Sequence, residues 1–304
     1  MNNLNSIRNA IKDHALTNVM TFDRDNYLSS FRLSTNDVYV IWMVNHYSLL
    51  LLIYLALVRL FKNIKIITVQ HNKIFHPQTS SSLHNIVSTF MEQIGFFVSN
   101  YVCFLSKIIY QESGRKNKIL LSDVMPFDIH SDSSSKKDKK KYDLLYFGRN
   151  ISYKGLDILH DSLIETERSL RVVIAGLGVS SLNWDKLRDK HEIEIHDKYL
   201  SDEELKILIT SSEFSVYPYR SVSQCGPLVI TLSYNGRAIV PNLEYFTPYS
   251  DLHNMVFFDT GSVESLASKL NNLEELKTNC DVAHEDNKLH TFSWIHLVNK
   301  LLTI

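Results

Sequence analysis

Apolar and polar positions along this chain alternate between short β-branched runs and longer helical segments. Asp37–Val44 and Ile64–Gln70 are dense in Val and Ile and read as strands. Between them, Ser48–Phe61 contains the longest apolar run, Leu49–Val58. Strand, helix, strand at this spacing is a βαβ unit, which pairs its strands in parallel and implies an α/β fold. A helix over 83–98, a strand over Tyr101–Leu105, a helix near Lys107–Glu112 and a strand-like piece over Ile119–Phe127 follow. The pattern then breaks. Ser131–Lys141 has no apolar residue, cannot enter a core, and reads as a linker.

Beyond the break the alternation is regular. Strands are expected at Asp143–Phe147, Leu170–Ala175, Glu192–His196, Phe214–Tyr219 (stopped by Pro218), Ala238–Val240 and Met255–Asp259. Helices are expected over Leu156–Glu167, from a Ser201–Glu204 capping box to Ser211, over Leu228–Tyr234, over Val263–Leu276 and over Trp294–Leu302. The division expected is a domain over 1–130, a linker over 131–142 and a doubly wound domain over 143–304, whose last helix can pack back on the first domain.

Two loops carry candidate chemistry. After the strand ending at Tyr219 comes a polar turn, Ser221–Gly226, with Pro227 at the expected first position of a helix. Free N–H groups and a positive dipole end favour an anion there, most often a phosphate. The other loop, Gly148–Gly155, projects Arg149 and Lys154 from one short turn. A guanidinium fork and a compact ammonium together suit a diphosphate. In the first domain, His71 and His76 follow a strand's carboxyl end, where open parallel sheets form their crevice.

Composition narrows the class. The chain has 304 residues, 44% hydrophobic and 21% charged, with a net charge of −1, so nothing draws it to nucleic acid. Cys103, Cys225 and Cys280 form no CxxC pair, which argues against a zinc site or a disulfide framework and fits a reducing cytoplasm. The start lacks a basic-then-apolar leader pattern. The run Leu49–Val58 falls short of the ~20 residues that span a bilayer. It reads as a core helix, or as a helix touching a membrane surface with Arg59, Lys62 and Lys65 near the headgroups. Gly176-Leu-Gly178 lacks the third glycine of a dinucleotide-binding turn.

Several motifs agree in order with one family. Phe147–Leu159 resembles the "GR…KG…L" signature of glycosyltransferase family 4, of the GT-B superfamily, polysaccharide-biosynthesis type. Val173–Gly178, Tyr199–Leu205, Val216–Tyr219, Gln224–Leu228 and Gly236–Val240 follow in the family's order, and Thr68–Asn72 with His76-Pro77 is similar to its "HN…PH" loop. The resemblance implies two Rossmann-like domains facing a cleft, with the N-terminal one shortened. It implies that Arg149 and Lys154 hold the donor diphosphate, with Gly148 beside them. The turn Ser223, Gln224, Cys225, Gly226, Pro227, Leu228 would offer backbone N–H groups to the same phosphates. Gly176 and the loop from His196 to Tyr199 would border the nucleotide base, and Tyr219 would join the donor contacts. His71 would face the transferring sugar.

The activity implied is retaining glycosyl transfer from a UDP- or GDP-linked sugar to a glycan or lipid-linked acceptor, with no metal and no separate cofactor. The setting implied is the cytoplasm, at the inner face of the plasma membrane. The family's two glutamates fall here on Ser223 and Thr231, neither acidic, so sugar and ribose contacts must come from hydroxyls or Gln224. That departure keeps open a second expectation, a degenerate GT-B chain acting as a non-catalytic partner of a glycosyltransferase.

Overall fold

A computed structural model describes residues 38–42, 46–70, 90, 93–123, 127, 140–222, 224–282 and 294–304. The chain separates into two compact units, Met1–Met125 with Trp294–Ile304, and Pro126–Ser293. His71, His76 and Ser223 lie outside the described residues, as do most of the expected linker and of the helix over 83–98.

The first unit is a four-stranded parallel sheet in chain order: β1 (Val38–Trp42), β2 (Lys65–Gln70), β3 (Tyr101–Phe104) and β4 (Lys118–Leu120). Helix α1 (His46–Val58) connects β1 to β2, and residues 93–98 are helical before β3. Leu51, Leu52 and Leu55 of α1 pack on Tyr39, Ile41 and Ile66 together with Ile94 and Val98, so both helical segments cover one face of the sheet. Ile109 of α2 (Lys107–Glu112) packs with Val102, Phe104 and Phe96. Strand residues of opposite parity, Ile67, Val69 and Cys103, meet Leu297 and Leu301 of α9 (Trp294–Leu302). Lys300 ties that helix down, donating from Nζ to the carbonyls of Leu120 and Leu121 at 3.1 and 2.8 Å.

The strand expected over Ile119–Phe127 shortens to β4. Leu121 N–H still reaches Phe104 O at 2.9 Å, and Ser122 and Asp123 lie outside the strand.

The second unit holds six parallel strands in the order β10-β9-β8-β5-β6-β7. These are β5 (Tyr142–Phe147), β6 (Arg171–Ala175), β7 (Glu192–His196), β8 (Ser212–Val216), β9 (Arg237–Pro241) and β10 (Met255–Phe258). Central strands such as Leu144–Phe147 and Val172–Ala175 are buried on both faces, as a helix-covered parallel sheet requires. Helices α3 (Leu156–Glu165), α4 (Asp185–Arg188), α5 (Asp202–Thr210), α6 (Gly226–Ser233), α7 (Val263–Asn271) and α8 (Leu273–Val282) complete it.

Local chemistry sets several ends. The capping box opens α5: Glu204 N–H donates to Ser201 Oγ at 3.2 Å, and Ser201 N–H to Glu204 Oε2 at 2.8 Å. The helix expected over Val263–Leu276 divides at Asn272, whose Nδ2 bonds back to Ser268 O at 2.9 Å and turns the backbone out of helical geometry. The strand expected over Phe214–Tyr219, stopped by Pro218, keeps its regular ladder to Val216. One more rung forms, Tyr217 N–H to Ile239 O at 2.9 Å, before Pro218 and the Tyr219 N–H bond to Tyr217 O at 2.8 Å lift the chain off the sheet.

Winding runs outward from β5 through β6 to β7, then returns to β8 and runs the other way through β9 to β10. The reversal between β5 and β8 is the topological switch point, the place at the strands' carboxyl ends where open α/β sheets bind their ligands. The two loops singled out by their sequence are the ones that leave those two strands.

Candidate active site

Backbone contact holds the two loops together. Gly155, at φ 64°, caps α3, and a Cβ placed on it would lie 1.9 Å from Pro218 O. Only glycine allows this approach. Arg220 closes the junction from the other side. Its N–H donates to Tyr153 O at 2.8 Å, its Nη1 to Ser152 O at 2.9 Å, and its fork grips Asp157 at 2.8 and 2.5 Å. Edge-on rings fill the space beneath, Tyr153 against Tyr219 and Tyr219 against Tyr217.

On this frame the cations converge. The Lys154 ammonium folds back over the start of its own loop, 2.7 Å from where a Gly148 Cβ would stand, and lies 5.5 Å from the centre of the Tyr219 ring. It has no hydrogen-bond or ion-pair partner among the described residues. Burial holds its pKa below the usual lysine value; the Cys225 sulfur opposes that shift and the nearby Arg149 charge adds to it. Arg149 is exposed, and its guanidinium too has no partner among the described residues. Two unpaired positive charges within electrostatic reach of each other are costly unless an anion joins them.

The turn before α6 supplies fewer donors than its sequence suggests, a correction to the expected set from Ser223 to Leu228. Cys225 N–H is spent on the Tyr245 hydroxyl at 3.0 Å, and Leu228 N–H on Cys225 Sγ at 3.4 Å. Pro227 is the second helical residue, after Gly226, and has no N–H. The N–H of Gly226, the first residue of α6, has no acceptor among the described residues, and a Cβ placed there meets nothing within 4 Å. Cys225 is a buried thiol whose pKa burial pushes up to about 11, so it brings no negative charge to Lys154 near neutrality. Two further donors at the turn are buried: Gln224 Nε2, with no partner among the described residues, and the Tyr219 hydroxyl, which faces the Cys225 sulfur. An unsatisfied buried donor costs stability, so the Gln224 amide points to a ligand that completes it.

Thr231 does not reach this surface. Fully buried, it lies 2.6 Å from the Tyr217 hydroxyl and donates to Ser215 Oγ at 3.3 Å, while Tyr217 also donates to Pro227 O at 3.1 Å. Of the two acid positions of the resembled family, this one is committed to the helix–sheet packing.

Gly176 ends β6 against the cation loop; a Cβ there would fall 2.1 Å from Gly148 O. Asp197 braces the neighbouring turn, accepting from Gly178 N–H at 2.7 Å, Ser180 N–H at 3.1 Å and the Ser180 hydroxyl. Those bonds hold its carboxyl below the usual carboxylate range. Tyr199 stands on the surface beyond β7, 83% exposed. The described residues thus join Gly148, Arg149, Lys154, Gly176, Tyr219, Gln224, Cys225 and Gly226 at one sheet edge and leave Tyr199 open to solvent. Among them no group of three or more His, Cys, Asp or Glu side chains converges as a metal site.

The bridge between Asp157 and Arg220 is the feature of this junction that sequence reasoning missed. Asp157 stands in a motif quoted above and Arg220 directly follows another, but their pairing needs β5 and β8 to be neighbours.

Comparison with known proteins gives the fold its name. No family model and no curated protein matches the chain. Among solved structures it resembles HepE from Anabaena, in complex with UDP and glucose, at 11% identity over 92% of this chain and 79% of that one, with a TM-score of 0.62. It resembles sucrose-phosphate synthase from Thermosynechococcus elongatus at 10% identity over 95% and 80%, TM-score 0.61. The lipopolysaccharide outer core galactosyltransferase WaaB aligns at 14% identity over 92% and 78%, TM-score 0.60. The fold is that of the GT-B glycosyltransferases, with a Rossmann-like sheet in each unit.

Proposed function

We propose that this protein is a metal-independent, retaining glycosyltransferase of family 4. It moves a sugar from a UDP- or GDP-linked donor to a glycan or lipid-linked acceptor in surface-polysaccharide biosynthesis, at the inner face of the plasma membrane. One observation carries the reading: a half-buried Lys154 ammonium and the Gly226 N–H, neither with a partner among the described residues, share the sheet's switch point with Arg149. The structures it resembles, among them a complex with UDP and glucose, support it.

In this reading the bond between the sugar's anomeric carbon and the diphosphate breaks, and negative charge grows on the leaving oxygens. Lys154, Arg149 and the positive end of α6 meet that charge as it develops, which is where a preorganised cation lowers a barrier. The acceptor hydroxyl oxygen bonds to the anomeric carbon on the face the diphosphate leaves, and its proton passes to a phosphate oxygen. Gln224 Nε2 and the Tyr219 hydroxyl are donors for the diphosphate or the sugar, and His71 positions the sugar or acceptor.

The committed Thr231 hydroxyl favours a second reading, a non-catalytic partner that has lost ribose recognition. Calorimetry and thermal unfolding with UDP and with GDP, followed by a donor screen for hydrolysis or transfer with and without EDTA, separate the two. One nucleotide is expected to stabilise the protein by mass action, and turnover is expected to persist in EDTA. His71→Ala should lower turnover strongly while nucleotide affinity stays within a few-fold. Absence of binding by either nucleotide refutes the donor site; binding without turnover on any donor favours the partner.

A further inference from the structure

Helix α1 is apolar on both its faces. Its inward residues Leu51, Leu52 and Leu55 pack on the sheet, yet Ile53 and Leu57 point outward, and Leu60 and Phe61 continue that stripe past the helix end. Positions 53, 57, 60 and 61 share one helical face. Phe61 is 88% exposed. The helical segment beside α1 repeats the pattern. Phe96 is buried, whereas Phe97 is 89% exposed and Phe90 is exposed too. Arg59 joins the two segments, donating from Nη1 to Val98 O at 3.0 Å. Next to Phe97 an apolar hollow of about 340 Å³ is lined by Gln93, Ile94, Phe97 and Arg115, with the Arg115 guanidinium stacked 4.3 Å over Phe96.

Charge is divided unevenly between the units. Met1–Met125 with Trp294–Ile304 holds 13 Lys and Arg against 7 Asp and Glu, while Pro126–Ser293 holds 19 against 26, making up the chain's 32 and 33. From His46 to Gln70 there is no acidic residue at all. The near-zero net charge of the whole chain hides a basic first unit and an acidic second one.

We infer that the outer face of α1 and of the segment ending at Val98 docks on a bilayer carrying anionic lipid, with Leu57, Leu60, Phe61 and Phe97 inserted at the headgroup boundary. A cluster of exposed large apolar side chains is costly in water and marks a contact surface. Its occupant is identified by the combination of apolar stripe and net positive unit, which is how surface-lying helices hold acidic membranes. Arg59 and Lys65, two of the three cations expected beside the headgroups, each give a donor to a backbone carbonyl, Val98 O and Ile304 O. A carbonyl neutralises neither charge, so both count in the unit's basic excess, which supplies the attraction. No helix among the described residues is long and apolar enough to cross a membrane, so this contact lies on the surface.

The inference rests on the membrane placement proposed above but on none of the chemistry, so the two fail separately. The test is flotation of the full chain with vesicles of phosphatidylcholine alone and with about one third phosphatidylglycerol added. Binding should favour the anionic vesicles and weaken with salt. Phe61→Glu with Phe97→Glu should cut the bound fraction about ten-fold or more, while the thermal shift with UDP or GDP stays unchanged. Ile207→Glu, at an exposed apolar position of the second unit, should bind as the parent does. The proposal is overturned if the parent ignores anionic vesicles, or if the double variant floats equally well. It is also overturned if sedimentation shows the patch paired in a dimer that the double variant dissolves.

Discussion

Replacing Lys154 by methionine separates a ligand-binding cation from a structural one. In the free protein the ammonium sits half-buried against the Tyr219 ring, with no carboxylate or carbonyl among the described residues to repay its lost hydration. Methionine keeps the stem's packing and removes the charge. Stability of the free protein should therefore hold or rise by up to about 1 kcal/mol, as when an active-site residue is relieved of its strain. A diphosphate loses a charge-assisted contact of about 1.5–3 kcal/mol, so UDP or GDP affinity should fall roughly 10- to 150-fold.

The pH dependence has a definite sign. Because the folded pKa of Lys154 lies below its unfolded value, the charge penalises folding at neutral pH, and the penalty disappears as pH rises from the folded pKa toward the unfolded one. A bound diphosphate raises the pKa again and takes up a proton, so affinity should be flat near neutrality and fall as pH climbs past the depressed value. Lys154→Arg should abolish that fall. Chemical denaturation of the free protein and calorimetry across pH measure both effects. If Lys154→Met lost 2 kcal/mol or more of stability and bound nucleotide unchanged, Lys154 would be a packing residue and the donor site misassigned.

Two glycines should part company. Gly155→Ala forces a Cβ to within 1.9 Å of Pro218 O at a positive φ and should cost about 2 kcal/mol or more in denaturant titration. Gly226→Ala meets nothing in the protein, so it should fold normally yet bind nucleotide more weakly, because its methyl stands where the phosphate approaches; unchanged affinity would move the phosphate elsewhere. Asp157→Ala and Arg220→Ala break an exposed ion pair and should each cost only about 0.2–1 kcal/mol of stability. Their double-mutant cycle in nucleotide affinity should nevertheless show coupling, since the pair aligns the two loops; additive effects would deny it that role. Thr231→Val removes a buried hydroxyl and should cost about 1 kcal/mol while affinity stays within a few-fold. A large loss of affinity would mean that Thr231 contacts the ribose after all.

Much of this molecule is determined within a few residues of chain. The capping box at Ser201 and Glu204, the β-branched strands, and the glycine-flanked loop with its Arg149 and Lys154 all follow from short-range sterics and hydrogen bonding, and these were legible. The helix break at Asn272 was not, because an alternative local bond competes there with a pattern that otherwise continues. The site itself depends on which strands lie side by side. Arg220 finds Asp157 and Ser152 across 63 and 68 positions of chain only because β5 pairs with β8, an order set by packing of the whole sheet and not by either segment. The same adjacency presses Gly155 on Pro218 and brings Lys154 beside Tyr219. Tertiary packing also decides which donors remain free: Tyr245 takes the Cys225 N–H, and Tyr217 draws the Thr231 hydroxyl inward. No spacing in the sequence reveals those two bonds, since each joins groups that become neighbours only after the helices have packed on the sheet.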